Sequence, residues 1–224
     1  MLTPRKKISR KELHKDPLLN KIATVSDYAE VHRQTIMRVA MAVAVLAVVV
    51  YAYVTYRHSQ NDESLNKLVP AEQVYFAGDY REAIRRLEKY CTEYDGTIGG
   101  GSGTYYLANS YFNTDQYDFA LTNYEKYLDD YSDNEVFTMS SMLGIAACYE
   151  GLNKYQEAVA QYESVLKKYP DSHAKAEIMM SLARAYRVMN QPDNARTWYG
   201  KIVKEFPESS LSREAKSALE ELGS

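Results

Sequence analysis

Four histidines, two cysteines and 30 carboxylates are the groups in this chain with chemistry to offer. Nucleophilic catalysis needs a base beside a Ser or Cys, and a metal site needs ligands at short fixed spacings. His14, His32, His58 and His173 are scattered, and none stands at ligand spacing with a Cys or a second His. The Gly-x-Ser-x-Gly elbow of hydrolases does not occur. The stretch from Asp95 to Gly103 (DGTIGGGSG) has the glycines of a phosphate cradle. It lacks a Lys-Ser/Thr pair after the last glycine and a strand before the first. What is left for it is a connecting loop, or a glycine face on which two helices pack closely. Cys91 and Cys148 read as small core residues rather than redox or metal groups. The Asp and Glu residues fall mainly on outward helical faces. No enzyme, cofactor or metal is therefore expected. The unusual resource is tyrosine, with 21 residues against five Phe and a single Trp, Trp198. Tyrosine suits a thin, half-wet core, because its ring packs while its hydroxyl reaches water.

The elements that must hold these rings are short helices in pairs. Met142 to Pro170 reads MLGIAACYEGLNKYQEAVAQYESVLKKYP. Ile145, Ala146 and Tyr149 share one face of a first helix, and Tyr155, Ala158, Tyr162 and Val165 one face of a second. Steps of three and four are helical, not the alternation of a strand. Gly151 to Lys154 interrupts the pattern and Pro170 ends it. The pattern recurs upstream in Leu107, Ala108, Tyr111, Tyr117, Ala120, Tyr124 and Tyr127. It recurs downstream in Leu182, Ala183, Tyr186, Ala195, Tyr199, Ile202 and Pro207, and more weakly in Gly78, Tyr80, Ala83, Leu87 and Tyr90. The Ala of the second helix falls at 83, 120, 158 and 195, a period of 37, 38 and 37. Leu211, Ala215, Ala218, Leu219 and Leu222 add one more amphipathic helix to cover the end of the stack.

This sequence resembles the tetratricopeptide repeats (TPRs), whose usual period is about 34. Lys168-Tyr169-Pro170-Asp171-Ser172 and Glu205-Phe206-Pro207-Glu208-Ser209 end two copies alike. That ending is similar to the repeats of bacterial envelope proteins, namely the outer-membrane assembly lipoprotein of the β-barrel machinery and the periplasmic coordinator of the Tol-Pal system. Asp129-Asp130-Tyr131-Ser132 lacks the Pro. An N-terminal anchor followed by such repeats is also similar to the ancillary subunit of the secretion translocon.

The anchor is legible on its own. Val39 to Tyr56 contains no charged residue and is bounded by Arg38 and Arg57. Eighteen helical residues span about 27 Å, close to the hydrocarbon thickness of a bilayer. Tyr51, Tyr53 and Tyr56 gather at one end, as interfacial aromatics do. No small-x-small site or lipid-accepting Cys follows, so the segment reads as a retained signal anchor rather than a cleaved leader. Residues 1–38 carry nine Lys/Arg against four Asp/Glu, and residues 57–224 carry 18 against 26. The basic flank predicts a cytoplasmic N-terminus with the repeats outside it, in the periplasm of a bacterium. The acidic remainder gives no electrostatic reason to bind nucleic acid. Ser9 to Glu12 has capping-box spacing, and Asp16-Pro17 opens a further helix. Leu18, Ile22, Val25 and Ala29 line one side of it, either as a helix on the cytoplasmic leaflet or as a short helix in a flexible tail. Pro70 predicts that the membrane helix kinks or stops near Val69.

The predicted fold is all-α: a transmembrane helix, then a right-handed TPR solenoid of about four helix pairs and a C-terminal capping helix. The predicted division is a basic cytoplasmic tail over 1–38, a span over 39–56, a linker helix over 57–70 and the TPR domain over 71–224. The resemblance implies a protein-binding groove lined by the first helix of each repeat. It places Tyr75, Phe76, Tyr105, Asn109, Phe112 and Asn113 in that groove, followed by Leu143, Ala147, Glu150, Met180, Arg184 and Arg187. Asn109 resembles the Asn with which many TPRs hold a peptide backbone or C-terminal carboxylate, although the basic residues completing such a clamp are missing around it. The floor is expected to be aromatic at one end and basic at the other. Partners are expected to be other proteins, envelope or membrane-complex subunits or exported clients, with the bilayer contacted through 39–56. Two roles fit: an anchored adaptor or chaperone-like factor in the bacterial inner membrane, or a fixed accessory subunit of a larger membrane complex.

Overall fold

In a computed structural model, residues 17–132 and 134–223 are described. The capping box at Ser9 to Glu12 lies outside them. Among the described residues there are ten helices and no strand. They form two compact units, Met1–His58 and Ser59–Ser224.

In the first unit, α1 (Pro17–Val31) begins at the expected proline. Of the expected face, the side chains of Leu18 and Ile22 lie outside those described, while Val25 and Ala29 are exposed. Next comes α2 (Arg33–Phe76), 44 residues long and apolar enough over part of its length to cross a membrane, with none of that apolar stretch buried.

The helix does not stop near Val69, and α2 runs through Pro70 to Phe76. A proline inside a helix costs about 3 kcal/mol or more through a lost backbone bond and a clash. Burial on either side offsets this, because Leu68 (1 % exposed) and Ala71, on the part of α2 from Ser59 on that belongs to the second unit, share that unit's core cluster with Ala83 and Leu87. The last turns of α2 thus serve as the first helix of the first pair.

The rest of the second unit is α3 (Tyr80–Glu93), α4 (Ile98–Phe112), α5 (Tyr117–Asp130), α6 (Glu135–Gly151), α7 (Tyr155–Lys168), α8 (Lys175–Val188), α9 (Pro192–Glu205) and α10 (Ser210–Gly223). From α3 onward each helix packs on the next. The repeated alanines Ala83, Ala120, Ala158 and Ala195 are fully buried where paired helices meet. Within each pair the turn holds one residue at positive φ: Gly78, Asp115, Asn153 and Asn190. Gly, Asp and Asn are the residues that tolerate this conformation. It lets the next amide reach back to close the helix end, as in Gln116 N to Tyr111 O (2.9 Å) and Lys154 N to Tyr149 O (2.8 Å). The second helices end on an aromatic residue, Tyr94, Tyr131, Tyr169 or Phe206. The aromatic ring is therefore the general ending, and the proline after it is an addition in two copies.

The glycine-rich stretch is no cradle: Asp95 to Thr97 make the connecting turn, and the glycines from Gly99 on form a packing face. Thr97 caps α4, its Oγ1 accepting from Gly100 N at 3.0 Å, and the glycines form the first turns of a buried helix. An added Cβ would lie 2.4 Å from Tyr90 Oη and 2.7 Å from the Ser64 carbonyl carbon at Gly99. At Gly103 it would lie 2.7 Å from the Tyr90 ring. Glycine is needed here for close approach. The amide of Gly99 donates to Ser64 Oγ (3.2 Å), that of Ile98 to Asn61 Oδ1 (3.1 Å), and Tyr90 Oη to Ser64 O (2.7 Å).

Candidate functional site

The helices expected to line a groove are the end of α2 with α4, α6 and α8, and Tyr75, Phe76, Tyr105, Tyr106 and Phe137 of the first three form a continuous strip. Tyr75 is half-buried, with ring centroids 5.1 Å from Phe76, 5.7 Å from Tyr80 and 4.9 Å from Tyr106. Burial among these hydroxyls pushes its own hydroxyl up to about 12. Tyr105 lies flat on Phe137, with centroids 4.3 Å apart and planes 12° apart, and Tyr106 meets the same Phe137 edge-on at 5.9 Å. Phe76 is 71 % exposed at the open end of this strip.

Tyr106 and Phe137 bring Tyr75 and Tyr105 together, and neither was expected in the groove. Phe137 was missed because α6 opens at Glu135, well before Met142. The available signal was Asn134, whose Oδ1 accepts from Val136 N and Phe137 N at 3.0 and 3.1 Å, an N-cap preference readable from residue type.

The other expected residues fall into three groups. Asn109 is engaged within the fold: its Oδ1 accepts from Tyr124 Oη (2.9 Å) and its Nδ2 donates to Tyr105 O (3.0 Å). Phe112 packs edge-on against Tyr117 at 5.6 Å. Asn113 is exposed at the end of α4, donates to Asn109 O (2.7 Å), and borders a polar pocket of about 480 Å³ beside Gly78 and Asp115. Leu143 packs on the second core cluster, Ala147 is partly buried, and Met180, at 1 % exposure, is a core residue of the third cluster. The expectation that Met180 faces a ligand is corrected by that burial, since the capping helix α10 adds apolar partners such as Ala215 and Ala218 on the same cluster.

Glu150, Arg184 and Arg187 form the far end. Burial pushes the Glu150 carboxyl up, while the Arg184 charge and the Tyr162 hydroxyl pull it back. Arg184 and Arg187 border a pocket of about 230 Å³ with Tyr199, Glu214 and Glu221. Arg187 Nη1 stands 3.4 Å from Glu221 Oε2 on α10, so an acid of this chain already faces the basic end.

Among the described residues no group of three His, Cys, Asp or Glu is placed to hold a metal ion. Both thiols are free, and burial pushes them up, Cys91 to about 11 and Cys148 to about 12, which keeps them protonated. The arrangement offers packing surface and hydrogen bonds.

Models of the tetratricopeptide repeat match residues 102–171 and 150–219, together just over half of the 224 residues. The chain is a tetratricopeptide-repeat protein. Solved structures with a similar fold include the TPR-like repeats of a kinesin light chain from Podosopora anserina, at 18 % identity over 74 % of this chain and 84 % of that one, with a TM-score of 0.57. MamA from Desulfovibrio magneticus RS-1 is similar at 16 % identity over 73 % and 94 %, with a TM-score of 0.57. YrrB, a TPR protein with an unusual peptide-binding site, is similar at 17 % identity over 66 % and 71 %, with a TM-score of 0.54. No curated protein matches the chain in sequence. A TPR fold is a scaffold for protein–protein interaction, and such domains are as a rule not enzymes.

Proposed function

We propose that this TPR protein is a single-pass, membrane-anchored scaffold that holds segments of other proteins in its groove on the periplasmic side of a bacterial inner membrane. One observation carries the anchoring: the side chains of residues 39–56 are apolar or uncharged and all exposed. Such a surface is stable in lipid and not in water. The excess of Lys and Arg in residues 1–38 favours a cytoplasmic N-terminus. The proposed order is a tail over 1–38, the span over 39–56 and the repeats beyond it. YrrB, of the same fold, has a peptide-binding site, and a peptide groove is the use proposed for Tyr75, Tyr105, Phe112, Glu150, Arg184 and Arg187. Asn109 and Asn113 would serve at its edge. Envelope subunits or exported clients are the proposed partners.

A second reading, a fixed subunit of a larger membrane complex, is favoured by the exposed small residues Ala40, Ala42, Ala44 and Ala47 of the span, at spacings that permit close helix contact. Two measurements on the full chain test these readings. A cysteine placed at Ser224 should react with a membrane-impermeant thiol reagent in intact spheroplasts, and reaction only after rupture refutes the topology. Purification in mild detergent should yield a shifting client set for the scaffold and a stoichiometric set for the subunit. Either set should be lost on Tyr105→Ala/Arg184→Ala with helicity intact, and full retention excludes the groove.

A further inference from the structure

From Leu68 on, after Lys67, the first helices of the first three repeats carry carboxylates and no basic residue. Leu68 to Phe76, Ile98 to Phe112 and Glu135 to Gly151 contain Glu72, Glu135 and Glu150 but no Lys or Arg. Glu72 stands one helical turn before Phe76, so the two share a face of α2. It is half-buried, and the Tyr106 hydroxyl lies beside its carboxylate. Tyr75, Phe76 and Tyr106 pack on one another, with centroids 5.1 Å apart for Tyr75 and Phe76, 4.9 Å for Tyr75 and Tyr106 and 5.7 Å for Phe76 and Tyr106. Arg86, which reaches from α3 to the Pro70 carbonyl, is held by Glu82 at 2.6 Å on its own helix. Burial holds the Glu72 carboxyl above its ordinary range, with only the Tyr106 hydroxyl pulling it back.

Aromatic faces are the negative side of a quadrupole, and a cation above them is attracted, more strongly when partly desolvated. Lys and Arg also carry an apolar stem that packs on such rings while the head reaches a carboxylate. We propose that Glu72, Tyr75, Phe76 and Tyr106 form a subsite for a basic side chain, so that the groove's occupant is a partner segment with a Lys or Arg flanked by apolar residues. The stem lies on Phe76 and Tyr106, the charged head meets Glu72, and the flanking apolar residues run along Tyr105 and Phe137. This assignment rests on the reading of the strip as a protein-binding groove. It gives the segment a direction, since the opposite end presents Arg184 and Arg187.

The test is selection from a random 12-residue phage library on the full chain held in detergent micelles. Selected peptides should carry a Lys or Arg beside aliphatic or aromatic residues. The Glu72→Gln variant, equal in volume and folded by circular dichroism, should still select apolar peptides but lose the basic preference. It should weaken the best wild-type peptide roughly 2- to 30-fold. Wild-type binders without basic enrichment, or binders whose affinity Glu72→Gln leaves unchanged, overturn the subsite and leave the groove standing. Failure to select any peptide, or equal binding to a folded Tyr105→Ala/Phe137→Ala variant, overturns both.

Discussion

Replacing Gly99 by Ala separates the packing argument from ordinary helix propensity. In a helix interior Ala is favoured over Gly by about 1 kcal/mol. At Gly99 the new Cβ would sit 2.4 Å from Tyr90 Oη, 2.6 Å from Ser64 Oγ and 2.7 Å from the Ser64 carbonyl carbon. The last of these is backbone, so α4 must move away from α2. Overpacking of this kind costs about 1–3 kcal/mol. Moving the helices apart also breaks the 2.7 Å bond from Tyr90 Oη to Ser64 O, and a buried group left unpaired costs a further 1–3 kcal/mol or so. The net expectation is a loss of about 1–5 kcal/mol. Gly200 is the control: it lies in α9 with nothing within 4 Å of its added Cβ, so the same substitution should gain about 1 kcal/mol. Urea unfolding of the full chain in mild detergent has two probes, far-ultraviolet circular dichroism for all helices and the fluorescence of Trp198, the single Trp, in α9. Repeats couple mainly to their neighbours. Gly99→Ala should therefore lower the circular-dichroism midpoint while moving Trp198 little, and Gly200→Ala should raise the Trp198 midpoint. A raised midpoint for Gly99→Ala would refute the close approach of α2 and α4. Equal shifts at both probes would refute local coupling.

Two further outcomes follow from the turns and the groove. Asn153, at φ 58°, should accept Gly with little change in urea midpoint, while Asn153→Val should cost about 1–2 kcal/mol because a β-branched residue is strained there. Glu150 has a folded-state pKa raised by burial, so its ionised form is penalised in the folded chain at neutral pH, and protonation as pH falls removes that penalty. Glu150→Gln should thus raise the urea midpoint at pH 7, with the gain shrinking as pH falls through the raised carboxyl range, and a gain independent of pH would exclude this cause.

The repeat register was legible because one small residue per copy has no substitute: where paired helices touch at Ala83, Ala120, Ala158 and Ala195 there is no room for a longer side chain. The apolar span was legible because eighteen uncharged residues leave few alternatives. Pro70 left a kink and a stop equally open because local propensity cannot weigh the burial of Leu68 and Ala71, which carries the helix on. The glycine run left two readings open because loops and close contacts favour glycine for different reasons, and only Tyr90 and Ser64, distant in sequence, decide between them. The aromatic strip was half legible. Tyr75 and Tyr105 follow from helix register, but Phe137 needed the true start of α6, and the pairing of Arg187 with Glu221 needed the position of α10. Contacts between distant segments have no local signature.

The spacing of the repeats bears on how such a stack acquires a specific surface. From the positive-φ turn residue to the buried alanine is five positions in every copy: 78 to 83, 115 to 120, 153 to 158 and 190 to 195. From that alanine to the terminal aromatic is eleven: 83 to 94, 120 to 131, 158 to 169 and 195 to 206. The turn and second helix are therefore one fixed block, held by the closing backbone bond, the alanine contact and the ring. All variation in period falls between one block and the next, in the connector and the first helix, where α4, α6 and α8 have 15, 17 and 14 residues. Those are the helices that carry Tyr105, Tyr106, Phe137, Glu150 and Arg184. The invariant block supplies the core, so the groove-side helices can change length and content without loss of the stack. An aromatic strip with the Glu72 carboxylate at one end and guanidinium groups at the other thus lies on first helices alone, and the partner recognition proposed for it would be written there.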